Sequence, residues 1–197
     1  MLNEVEERRS LSTRRQEIVE TAHAMATREG WGAVTLRALA ARVGCSAPAI
    51  YQYFRDKDAV LTALAAQGHM LLNQSMEQAV ADVHGPAKRL RAMVKAVWDY
   101  SREQPALFAV MVGLDGQRAH RDAATGTLAP AAMGHAADEF LAKRDSGESS
   151  QDLADRLFAT ACGFIVLVAG GSFPGDAEQA FALLSRTVDA MLKDVGR

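Results

Sequence analysis

The sequence predicts an all-α protein, with a three-helix head followed by a larger helical-bundle body and about nine helices in total. Three observations carry this. Apolar residues recur at three- and four-residue spacing along almost the whole chain, and no period-2 alternation of useful length appears. The interruptions fall on glycine and proline clusters, such as Gly85-Pro86 and the run from Gly170 to Gly175. At 197 residues, with 49% hydrophobic and 23% charged content, the composition is that of an ordinary globular chain with room for a small head and a larger body.

Residues 1–11 read as a flexible arm. From Ser12, a cap candidate, Ile18, Ala22, Met25 and Ala26 mark an amphipathic helix that ends at Gly30. Thr35 sits where an N-cap hydroxyl belongs, and Leu36, Leu39, Ala40 and Val43 follow at helical spacing, with Arg37 and Arg42 on other faces. Gly44 tolerates positive φ and closes that helix. Ser46 then caps a short helix over Ala47 to Phe54, in which Pro48 is acceptable because the first turn needs no N–H from it. Ile50 and Phe54, at i and i+4, anchor it inward. Asp56 caps a long helix that runs to about Val83. Further helices are predicted over 86–103, through Val112, over 128–143, 151–170 and 176–194, with loop over 113–126 and a linker at 145–150.

Helix, tight turn, short helix is the layout of a DNA-reading helix-turn-helix. A recognition helix enters the major groove with its N-terminal residues toward base edges. Here those are Ser46, Ala47, Pro48 and Ala49, small enough for close approach and for contact with thymine methyl groups. Tyr51 and Tyr53 add hydroxyls within reach of phosphates, and the start of the helix after Asp56 directs Lys57 and its first amides toward a phosphate. Charge is distributed accordingly. Residues 8–58 hold nine Lys or Arg and five acids, net +4, whereas residues 1–7 and residues 59–197 each sum to −3. Arg8, Arg9, Arg14 and Arg15 either reach phosphates or a minor groove, or form a solvated basic arm.

From Ser12 to about Leu64 the chain resembles the DNA-binding domain of the TetR family of bacterial transcriptional regulators. The resemblance rests on Glu29-Gly30-Trp31, on Thr35, Arg37, Leu39 and Ala40, on the Gly44-x-Ser46 turn, and on Ile50-Tyr51-x-Tyr53-Phe54-x-x-Lys57. Tyr53 stands where many members have His, and Cys45 where Val is usual. The resemblance implies DNA contacts by Thr35, Arg37, Ser46, Ala47, Pro48, Ala49, Tyr51, Tyr53 and Lys57. In the body, Glu103 to Phe108 with Met111, and Cys162-Gly163-Phe164 with Leu167 and Gly171, are similar to the WHG-type C-terminal domain of some TetR regulators. Phe158 and Cys162-Gly163 stand where such domains carry Trp and then His-Gly, so no histidine role is carried over.

The domains expected are therefore an arm (1–11), a helix-turn-helix DNA-binding domain (12–57) and a ligand-sensing and dimerisation domain (58–197). Candidate pocket residues in the body are Trp98, Phe108, Met111, Phe140 and Phe158, with His135 or Cys162 as polar contacts, although each taken singly reads first as plain core. The last two helices carry Leu153, Leu157, Ala161, Ile165 and Val168, then Phe181, Leu184, Val188 and Met191. These stripes are satisfied either inside one chain or, as the better reading with Gly163, Gly170 and Ala182 permitting close approach, in a two-fold four-helix homodimer interface. The function expected is a homodimeric, sequence-specific regulator, a repressor released from operator DNA by a small hydrophobic effector. The alternatives are an effector-independent DNA-binding regulator and an enzyme using the helical body. Against an enzyme, the chain has no H-E-x-x-H, G-x-S-x-G, P-loop or dinucleotide fingerprint, and its five histidines lack metal-like spacing. No cofactor or metal is implied. Cys45 and Cys162 read as free thiols in a reducing cytoplasm. The charged N-terminus does not read as a signal peptide, and Ala161 to Ala169, the longest apolar run, is too short for a membrane span. The protein is expected in the cytoplasm.

Overall fold

The computed structural model describes residues 2–113, 129–142, 144 and 147–195, with side chains described from residue 11 onward. All regular elements among the described residues are helical: α1 (Leu2–Glu29), α2 (Leu36–Arg42), α3 (Ala47–Ile50), α4 (Lys57–Ala79), α5 (Pro86–Glu103), α6 (Pro105–Val112), α7 (Ala131–Leu141), α8 (Ser150–Ala169) and α9 (Ala177–Asp194). None is long and apolar enough to cross a membrane. The expected loop at 113–126 lies almost wholly outside the described residues, as does the start of the helix expected at 128.

Two compact units result, one built from Met1–Gln67 with Pro105–His120, the other from Gly68–Gln104 with Arg121–Arg197. The first unit surrounds the fully buried Ile18, Ala22, Val34, Ile50, Val60 and Leu64. α6 belongs to it and packs on α1, burying every residue from Leu107 to Met111. In the second unit α5, α7 and α8 pack together, and α9 lies on α5 and α8. Its core is formed by Leu90, Val97, Phe140, Leu157, Ala161 and Leu184. Side-chain bonds to backbone pin it: Asn73 accepts from the Ala132 amide at 2.9 Å, Asp155 from the Ala129 amide at 2.8 Å, and the Tyr100 hydroxyl donates to the Gly68 carbonyl at 3.1 Å. Burial raises the Tyr100 pKa, which keeps that hydroxyl a donor.

Three expected boundaries move. The backbone is helical from Leu2, so Ser12 lies inside α1 and does not cap it. α3 stops at Ile50 instead of Phe54, because the amides of Gln52 and Tyr53 bond the carbonyls three residues back, tightening the coil into a turn. α4 ends at Ala79 instead of Val83 for the same reason, with i to i+3 bonds leading into Gly85 at φ +96°.

Candidate nucleic-acid interface

The helix-turn-helix is set by local chemistry at each corner. Thr35 is extended and its hydroxyl oxygen accepts from the Ala38 amide at 3.1 Å, starting α2. α2 closes at Gly44, φ +69°, where the Cys45 amide donates back to the Ala40 carbonyl at 2.9 Å, a Schellman closure that a side chain at that φ would strain. Ser46 then accepts from the Ala49 amide at 3.3 Å and starts α3. Ile50 and Phe54 point into the core, 0% and 1% exposed, as their spacing predicts.

What remains outside is the expected reading surface. Ser46, Ala47, Pro48 and Tyr51 are exposed, Tyr51 to 60%, and Ala49 and Tyr53 are half-buried. Thr35 and Arg37 at the start of α2 are exposed as well. Asp56 caps α4, its carboxylate accepting from the Ala59 amide at 2.7 Å.

Several cations have protein partners that sequence spacing does not reveal. The Lys57 ammonium donates to the Trp31 carbonyl at 2.7 Å, just beyond the end of α1. Arg15 donates to the Tyr53 carbonyl at 2.6 Å, and its guanidinium lies 4.0 Å from the centroid of the Phe54 ring. Arg14 pairs with Glu17 at 2.7 Å and reaches the Val43 carbonyl at 3.3 Å; the hydrogen bond to Glu17 is the main cause of its raised pKa. Arg42 pairs with Glu29 at 2.9 Å. Neither alternative read for Arg14 and Arg15, phosphate contact or solvated arm, includes these bonds.

The candidate pocket residues fall in both units. Phe108 and Met111 are buried in the first unit. Trp98, Phe140 and Phe158 are buried in the second, where His135 is exposed and so stands outside the buried set. Cys162 is half-buried, and burial pushes its thiol up to about 12, so it stays protonated. In that unit a groove between α5 and α9 holds two adjoining cavities of about 270 and 410 Å³ that share Lys95 and Phe181. Of the candidates Trp98 lines it, 5.4 Å from Phe181 between ring centroids.

A three-helix unit with a capped tight turn, an exposed short reading helix and hydroxyls around it defines a DNA-binding regulator. Residues 18–64 match the family described as "Bacterial regulatory proteins, tetR family", and residues 90–191 match "Tetracyclin repressor-like, C-terminal domain". The chain belongs to the TetR family and is a DNA-binding transcriptional regulator. It is 29% identical over 107 residues to the nucleoid occlusion factor SlmA of Pasteurella multocida, covering 54% of each chain. With an uncharacterized HTH-type transcriptional regulator of Mycobacterium tuberculosis it shares 30% identity over 104 residues, 50% of this chain and 52% of that one. The chain thus spans about half the length of the curated relatives it matches. Among solved structures, a protein of unknown function from Rhodococcus sp. RHA1 aligns over 93% of this chain and 95% of its own, with TM-score 0.71 and 25% identity.

Proposed function

We propose that the protein is a cytoplasmic homodimeric repressor whose grip on operator DNA is released by a small, largely hydrophobic effector bound in the body. The observation that carries the dimer is the outward face of α8 and α9. Ala159, Gly163, Leu167, Ala182, Leu183 and Ala190 are all exposed there, Leu167 to 47% and Leu183 to 39%. Among the described residues no atom lies within 4 Å of where a Cβ at Gly163 would stand, so none of them requires glycine at that position. A mainly apolar face of small residues and two leucines, with the exposed Arg186 one turn from Ala182 and from Ala190, is what a second pair of helices can pack against closely.

Dimerisation supplies what one four-residue helix lacks. Two heads on a palindrome sum their contacts when the half-sites lie roughly 34 to 36 Å apart, one turn of DNA, or a multiple of that. In each head Ala47, Pro48 and Ala49 face base edges. Thr35, Arg37, Ser46, Tyr51, Tyr53 and the first amides of α4 hold phosphates. The Lys57 charge adds to the field around those amides while its ammonium braces the Trp31 carbonyl. An effector in the body that prefers one setting of α4 changes the separation of the heads, and operator DNA then weakens effector binding by the same factor.

The test replaces Leu167 with Glu. Light scattering on the full chain should read a dimer for the wild type and a monomer for Leu167→Glu, with operator affinity lost and helicity kept. A variant that remains dimeric would place the interface elsewhere. Effector identity is then sought by screening compounds for release of the wild-type dimer from its selected operator; turnover of a bound compound would favour an enzyme instead.

A further inference from the structure

We propose that Arg15 is a positioning residue for DNA reading, a strut from α1 that fixes the orientation of α3 without touching DNA. α3 is a single turn of four residues, too short to hold an orientation by its own hydrogen bonds. Its N-terminal side is fixed by the Gly44 closure. On its C-terminal side Phe54 is packed into the core, and the chain between Ile50 and Phe54 is a turn.

Arg15 grips that turn twice. One guanidinium nitrogen donates to the Tyr53 carbonyl at 2.6 Å, and the flat group stacks over the Phe54 ring at 4.0 Å. The two contacts fix different degrees of freedom. The hydrogen bond sets where the backbone leaves α3, and the stack sets the rotation of the ring that anchors it. A shift at either point moves Tyr51, Ala47 and Pro48 together, since all three ride on the same turn.

This assignment separates Arg15 from a phosphate contact in a measurable way. Phosphate contacts are indifferent to sequence and carry the salt dependence of binding, whereas reading-helix orientation governs sequence discrimination. The experiment uses the full-length protein with a duplex it selects from a random-sequence pool, and a scrambled duplex of the same length and composition. Arg15→Ala should lower the ratio of selected to scrambled affinity by about tenfold, the scale of one lost charged hydrogen bond. Scrambled-duplex affinity should fall far less than selected-duplex affinity, since only the share of one charge in the long-range field is lost, and the salt slope should drop by much less than the 0.9 or so per head of a phosphate contact. Arg15→Lys keeps the charge but not the flat stack, so the ratio should stay depressed, and this variant decides the matter if Arg15→Ala does not fold. Equal loss on both duplexes with a slope reduced by about 0.9 per head, or full recovery of the ratio in Arg15→Lys, would overturn the assignment.

Discussion

Lys57→Met removes a bond that the structure shows and leaves the apolar stem of the side chain largely in place. The Lys57 ammonium donates to the Trp31 carbonyl at 2.7 Å, tying the start of α4 to the turn that follows α1. A hydrogen bond from a charged donor contributes about 1.5–3 kcal/mol. Two facts place this one at or below the lower end. Lys57 is only half-buried, so water screens it, and the same carbonyl also accepts from the Val34 amide at 3.3 Å, so it is not orphaned by the substitution. A loss of about 1–1.5 kcal/mol follows, which for a unit of the N-terminal unit's size lowers its melting temperature by about 4–12 °C. With two compact units, calorimetry should assign the shift to the transition of the N-terminal one. Operator binding measured across a potassium chloride series completes the test. If Lys57→Met melts like the wild type while its salt slope falls by about 0.9 per head, the ammonium serves phosphate alone and the bracing argument is wrong.

Tyr51 is 60% exposed, so Tyr51→Phe should leave the melting temperature unchanged. It should weaken selected and scrambled DNA alike by about fivefold to tenfold per head, the cost of one hydrogen bond to phosphate, with no change in salt slope because the lost donor is neutral; unchanged affinity would remove Tyr51 from the contact set. His23 is held below its ordinary value of 6.5 by burial. Below that value the unfolded chain takes up a proton that the folded one resists, so stability should fall as pH drops through 6.5 toward the folded pKa. His23→Gln should flatten that dependence in melts between about pH 5 and 8; an identical slope in the variant would assign it to other groups.

The head was legible because each of its corners has a local cause. Thr35, Gly44, Ser46 and Asp56 act within a few residues of themselves, so residue type and spacing suffice to place them, and Ile50 and Phe54 face inward as period alone requires. α6 was visible as a helix but not as a part of the head. It is apolar on every face, so no stripe indicates its partner, and it packs on α1, far away in sequence. The seven candidate pocket residues fall on both units for the same reason. Phe108 and Met111 follow α6 into the first unit, while the other five residues lie in the second. Buried aromatics look alike in a sequence whether they line a cavity or fill a core.

The basic segment needs a different reading from the one its charge count suggests. Of its nine Lys and Arg, Arg14, Arg42 and Arg55 pair with acids, and Arg15 and Lys57 donate to carbonyls. A carbonyl does not neutralise a cation, so the net +4 over residues 8–58 persists as a field that attracts DNA even where the cations themselves are engaged. On the proposed reading, close contact falls to groups with a donor to spare. Arg37 is exposed at the start of α2. Thr35 and Ser46 accept from backbone amides, which occupies a lone pair on each hydroxyl oxygen and leaves the O–H free to donate. The same two hydroxyls can therefore start their helices and, in the proposed complex, hold phosphate at once, which would tie the shape of the reading element to its grip on the duplex.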